Sequence, residues 1–267
     1  MSLVFGGKPY ATDFESVSWL DDPKRAPRAP DSDTDPRKTW VRSIVLHTTS
    51  GTARVLKPGL SGASTRAEAY ARYMRDTKRW VSWDYTVDTD GTVIVSNDPL
   101  THYTWHATAW NRYSVGIELV EASGGVLYEG QLAVLVKLLD AITWHTGVQR
   151  CVPIGPAGTP DRRILTRADD KGALRGVDLV GVFGHRNNTR NRGYRDPSDM
   201  PFDALMKAGY LALDYEAEED KTLVRVKQAA HGLEQDGVCG PETRRRVGQT
   251  VVRPGDDARG QPAWQRA

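Results

Sequence analysis

Two histidines and an aspartate, each in a short distinctive stretch, make a side-chain set able to hold one divalent metal. His47 closes the apolar run of SIVLHTTSG, His185 closes that of FGHR, and Asp196 lies in RGYRDPSD. Two imidazoles and a carboxylate suffice for a catalytic zinc whose fourth position is left to water. Between them the strand-like stretch SVGIELVE carries Glu118, an acid able to take a proton from that water. The chemistry implied is hydrolysis. None of the three ligand candidates belongs to a short zinc signature such as HExxH, so spacing alone does not define a site. Taken singly, either histidine could be a hydrogen-bonded structural residue, Asp196 a turn cap, and Glu118 a solvent-facing edge residue.

The elements that must position these residues can be read from periodicity. Ser43 to Leu46 has the composition of a buried strand, and Thr65 with Glu68 has capping-box spacing for a helix running to about Thr77. That helix is expected to turn Ala69, Tyr73 and Met74 inward. Trp83 to Val87 and Thr92 to Ser96 flank Asp88-Thr-Asp-Gly91, a hairpin signal, and Ser114 to Val120 reads as a further strand. Leu132, Leu135, Val136, Leu139 and Ile142 recur at helical spacing between Glu129 and Thr146, and Gly147 stops the run. After a long Pro/Gly-rich connection, Leu179 to Phe183 is a last strand, leading into His185. The expected fold class is α/β (α+β): a mixed central β-sheet flanked by helices, plus a small C-terminal three-helix domain.

The order SIVLHTTSG, SWDYTVDTDGTV, HYTWHATAWNRYSVGIELVE, FGHR and RGYRDPSD resembles the zinc N-acetylmuramoyl-L-alanine amidases of the type-2 family, which includes amidase-type phage lysozymes and animal peptidoglycan recognition proteins. The resemblance covers roughly residues 40–203, and its most specific part is the pairing of WHA with NRYSVGIEL. It implies Zn²⁺ as cofactor, held by His47, His185 and Asp196, with Asp199 as the alternative third ligand. It implies Glu118 as the catalytic acid and base, and His106 of WHA as a histidine at the substrate groove and a candidate oxyanion donor. Trp83, Trp105 and Trp110 are candidates for lining that groove, and equally for ordinary core aromatics.

Two departures from the family pattern bear on the oxyanion. Many members have a lysine two residues before the third ligand, where this chain has Tyr194; Arg192 and Arg195 stand close by as substitutes. Some have a tyrosine at the position of Trp83, whereas Tyr85 comes two residues later here.

Beyond Pro201 the chain reads as short helices, and GLEQDGVCGPET resembles a peptidoglycan-binding three-helix module. The expected organisation is an N-terminal arm over 1–38, extended or packed as a loop, a zinc amidase domain over 39–200, the peptidoglycan-binding-like module over 201–249, and a flexible tail over 250–267. The implied reaction cuts the amide between N-acetylmuramic acid and L-alanine; a non-catalytic peptidoglycan-binding protein is the alternative.

The resemblance implies peptidoglycan as the substrate, and a monomer is expected. A formal charge of +2 over 267 residues makes no case for nucleic acid, and no apolar run is long enough for membrane insertion. Cys151 and Cys239 do not make a disulfide framework and are expected as buried free thiols. The opening MSLVFGGKPYATDF lacks the features of a secretory signal. Reaching the wall would then need lysis or another export route, as for a phage lysin or a separately exported bacterial enzyme; cytoplasmic recycling of wall fragments fits a wall-binding module less well.

Overall fold

A computed structural model describes residues 1–20, 41–49, 65–79, 81–121, 127–153, 167–168, 174–175, 180–187 and 201–213. The chain begins with a hairpin, β1 (Ser2–Phe5) and β2 (Lys8–Ala11), turned by Gly6 and Gly7 at φ 61° and 75°. Positive φ is the conformation glycine adopts without a Cβ penalty. The elements that follow are β3 (Ser16–Ser18), β4 (Ser43–Thr48), α1 (Thr65–Asp76), β5 (Tyr85–Val87), β6 (Val93–Val95), β7 (Ser114–Leu119) and α2 (Glu129–Thr146). Next come β8 (Cys151–Pro153), β9 (Arg167–Ala168), β10 (Leu174–Arg175), β11 (Gly181–Gly184), α3 (Phe202–Lys207) and β12 (Leu211–Leu213).

Six strands form the central sheet in the order β11-β4-β7-β5-β6-β3. β11, β4, β7 and β5 run parallel; β6 is antiparallel to β5 and carries β3 parallel to itself, so the sheet is mixed. β4 is buried at all six positions, as expected for a central strand covered on both faces. Side chains alternate between faces along each strand. One face sends Ile44, Leu46, Val115, Ile117, Leu119 and Val182 into the main core, where α2 contributes Leu135, Leu138, Leu139 and Ile142. Gly147, at φ 72°, ends α2 with its N–H on the Thr143 carbonyl. Gln131, fully buried, donates to the carbonyls of Val87 and Val120 at 3.1 and 3.0 Å and ties the start of α2 to the ends of β5 and β7.

α1 packs on the opposite face beside β5 and β6. Its inner residues are Ala67, Ala71 and Met74, an i, i+4, i+7 row. The expected inner face was correct only at Met74: Ala69 is exposed and Tyr73 is 45% exposed. The two alanines let the helix approach Trp19, Ile94 and Val120, a contact a larger Tyr73 would hold apart. Asp88 of the hairpin accepts from the Ala67 N–H at 3.0 Å and so serves the N-terminus of α1.

Two stretches beside expected boundaries pack into the main core. Within the expected N-terminal arm, Leu3, Phe5 and Phe14 enter the main core, and β3 completes the central sheet. Four-residue strands around a Gly-Gly turn were masked by the Pro-rich charged run that follows; residues 21–38 lie outside the description. The stretch just past 201 packs on the same core. Phe202, Leu205 and Tyr210 are buried in the main core, and β12 pairs with β8. Arg150 binds Asp140 at 3.0 Å, donates to the Ala208 carbonyl at 2.9 Å and stacks over Tyr210, closing that junction. The peptidoglycan-binding-like stretch, Cys239 and the tail lie outside the described residues. Cys151 is a buried free thiol. Among the described residues no helix is long and apolar enough to cross a membrane.

Candidate functional site

Strand register gathers the candidates. His47 on β4 is the Cα partner of Glu118 on β7, and Glu118 is also the partner of Thr86 on β5. On the other side, Gly184 of β11 pairs with Leu46, so His185, the next residue, comes level with His47. A row His185, His47, Glu118, Thr86 therefore crosses four parallel strands at their C-terminal ends. The two imidazole centroids are 4.5 Å apart at 65° between ring planes. Both rings are buried, His47 at 5% and His185 at 1% exposure, while Glu118 is half-buried.

His106 arrives from outside the sheet. Its loop is fixed by Asn111, whose Oδ1 accepts from the N–H groups of His106 and Ala107 at 3.0 and 2.6 Å. The ring lies against β7 at Gly116, where an added Cβ would fall 2.7 Å from His106 Cγ. Only a residue without a side chain leaves room for an imidazole there. His106 Nδ1 is 3.0 Å from His47 Nε2, and His106 Nε2 is 3.1 Å from Ser114 Oγ. Both ring nitrogens thus face protein partners. Sequence reasoning had not singled out Asn111, Gly116 or Ser114, although all three stand in the WHA-to-NRYSVGIEL spacing that carried the resemblance.

Asp84, fully buried, supports this floor: its Oδ2 accepts from the Gly116 N–H at 2.7 Å and from the Thr104 hydroxyl at 3.0 Å. Trp110 packs with Val45, Ala107 and Phe183 and takes the core alternative. Trp83 is 5% exposed, with its indole N–H on Thr86 Oγ1 at 2.7 Å, so its one side-chain donor is engaged. Trp105 is half-buried and its backbone N–H meets Ser82 Oγ at 2.9 Å. Tyr85 points into the main core, where burial and then the Asp84 and Asp98 charges push its phenol well above the usual value. It does not face the histidine row.

Asp196, Asp199, Tyr194, Arg192 and Arg195 lie outside the described residues. Among the described residues no group of three His, Cys, Asp or Glu side chains gathers as a metal site. The donor chemistry of His47 and His185 nonetheless fits zinc: two buried imidazoles side by side, held by neighbouring strands, with a carboxylate one strand away.

The sequence profile described as N-acetylmuramoyl-L-alanine amidase matches residues 36–194, more than half of the chain. This chain belongs to the N-acetylmuramoyl-L-alanine amidase family. Among curated proteins, the N-acetylmuramoyl-L-alanine amidase XlyA of Bacillus subtilis is 35% identical over 86 residues. That alignment covers 31% of this chain and 25% of XlyA, so the match spans about a quarter of that relative's length. Among solved structures, the catalytic domain of XlyA is similar at 19% identity, over 73% of this chain and 99% of that one, with a TM-score of 0.44. A mutant endolysin from Bacillus subtilis gives 20% identity, 74% and 99% coverage, and a TM-score of 0.43. The amidase LysC from Clostridium intestinale gives 11%, 75% and 99%, and 0.44. The family's matched segment spans both histidines of the row and Glu118.

Proposed function

We propose that this amidase-family chain is a zinc-dependent hydrolase that cuts the amide between N-acetylmuramic acid and the L-alanine of the stem peptide in peptidoglycan. The observation that carries this reading is the row itself: His185 and His47 side by side, with Glu118 level with His47 on the next strand. His47, His185 and Asp196 would hold the ion. Zinc bound there would lower the pKa of its water towards ~7 and polarise the scissile carbonyl. Glu118 accepts the proton of the attacking water and delivers it to the leaving amine nitrogen. Arg195 is assigned to the negative charge developing on the carbonyl oxygen. His106, with a protein partner at each ring nitrogen, orients His47 rather than donating to substrate. Trp83, fixed by Thr86, borders the same face on the Glu118 side. The stretch over 201–249 contributes wall binding through GLEQDGVCGPET, and the place of action is the cell wall.

Zinc content and wall digestion test this together. Purified protein should carry one zinc per chain, clear a suspension of isolated walls, lose that activity to a chelator and regain it with zinc. Protein that binds walls while taking up no zinc and digesting nothing is the result that favours a non-catalytic binder.

A further inference from the structure

We propose that Ser114 and His106 form a directed hydrogen-bond relay that sets the tautomer of His47 and makes Nδ1 its metal-ligating atom. The proposal rests on the reading of His47 as a zinc ligand and adds which atom ligates and what prepares it.

The relay starts at an atom with a single role. The Trp110 carbonyl can only accept, and Ser114 Oγ lies 2.9 Å from it and donates its one proton there. Ser114 Oγ is also 3.1 Å from His106 Nε2. With the hydroxyl proton spent on the carbonyl, that contact has His106 Nε2–H donating to Ser114 Oγ. A neutral imidazole carries one N–H, so His106 Nδ1 is a lone pair. That lone pair is 3.0 Å from His47 Nε2, which must therefore carry the proton of His47. His47 Nδ1 is then the lone-pair nitrogen.

The opposite polarity has a clear consequence. If Ser114 donated to His106 Nε2, His106 Nδ1–H would occupy the Nε2 lone pair of His47 and leave a proton on His47 Nδ1. Neither nitrogen would then be open to a metal. Direction along the relay thus decides whether His47 can ligate at all.

The surroundings preserve this arrangement. Ser114 is fully buried, and His106 is 6% exposed, so bulk water competes little for these contacts. Asn111 pins the backbone at His106, and Gly116 opens the space its ring occupies. Hydrogen bonds to the second nitrogen of a ligating histidine commonly fix its tautomer and orientation. Here that partner is another imidazole, itself oriented by a serine. Ser114 and His106 are positioning residues, reaching the metal through His47.

The test reads the tautomer directly. Long-range ¹H–¹⁵N correlation spectra of the metal-free full-length chain, labelled at histidine nitrogen, should show His47 as the Nε2–H form. Added zinc should then move the His47 Nδ1 resonance. In a competitive chelator titration, Ser114→Ala should weaken zinc binding by about 10–100-fold. His106→Asn, whose Oδ1 can accept from His47 Nε2–H, should retain more affinity than His106→Leu. Zinc bound by a wild-type chain whose metal-free His47 is the Nδ1–H form overturns the relay and leaves the ligand reading standing. A folded Ser114→Ala protein with wild-type zinc affinity does the same. Failure of the wild-type chain to bind zinc overturns the ligand reading and this proposal with it.

Discussion

His47 and Glu118 are register partners on adjacent parallel strands, so an imidazole and a carboxylate stand level on one face of the sheet. A one-residue slip between β4 and β7 would send one of them into the opposite core. The apolar neighbours Leu46, Ile117 and Leu119, buried in the main core, therefore hold this side-chain geometry as well as the fold.

That relationship makes Glu118→Gln the cleanest test of the acid–base role. Glutamine keeps the shape and loses the titratable proton. Zinc content should stay at the wild-type level while turnover falls about 10²–10⁴-fold. Near-normal turnover in a zinc-loaded variant removes Glu118 from the chemistry.

Gly116→Ala tests the floor beneath His106. The added methyl would meet His106 Cγ at 2.7 Å and both Cδ2 and Nδ1 at 2.9 Å. Either the ring is displaced or the strand shifts, at a cost of about 1–3 kcal/mol. Denaturant unfolding should report that loss, and zinc affinity should fall with it. Unchanged stability and affinity would mean that the ring is not seated on this strand.

Phe202→Ala tests whether α3 belongs to the main core. Its side chain is fully buried there, and truncating a buried phenylalanine costs about 3–5 kcal/mol. A single cooperative unfolding transition should move to lower denaturant as a whole. A loss confined to a second, independent transition would place α3 outside that core.

His145 gives the fold a pH dependence. Its ring lies against Phe5 and Tyr10, with centroids 4.3 and 3.9 Å away, and its Nε2 has no hydrogen-bond partner among the described residues. Burial lowers its pKa from 6.5 to about 4. The unfolded chain therefore binds this proton more readily than the folded one. The contribution is fully present above pH 6.5 and is lost as pH falls towards and through 4. Unfolding midpoints measured across that window should fall less steeply in His145→Phe than in the wild type. Equal slopes would show that this ring does not titrate differently in the two states.

Much of the fold was legible because its signals are local. The apolar run before His47, the Asp88–Gly91 hairpin and the Leu-rich periodicity closed by Gly147 each identify an element without reference to the rest of the chain. Errors arose where a choice depends on a distant neighbour. Tyr73 looked like an inward residue, yet the surface α1 meets already holds Trp19 and admits only Ala67 and Ala71 closely. β1 and β2 are short, and only the burial of β1 in the main core reveals Leu3 and Phe5 as core. The site divides in the same way. His47, His185 and Glu118 could be named from strand ends, whereas Ser114, Asn111 and Gly116 gain meaning only when the His106 ring is seen lying on β7.

The proposed reaction is defined by the bond that is cut. Mass spectrometry of purified muropeptides digested by the zinc-loaded chain reads it most directly. The expected products are a free stem peptide with an L-alanine amino terminus and a saccharide retaining its lactyl carboxylate, neither produced in the presence of chelator. Products cut within the stem peptide or within the glycan, with the muramic acid–alanine amide intact, would contradict it.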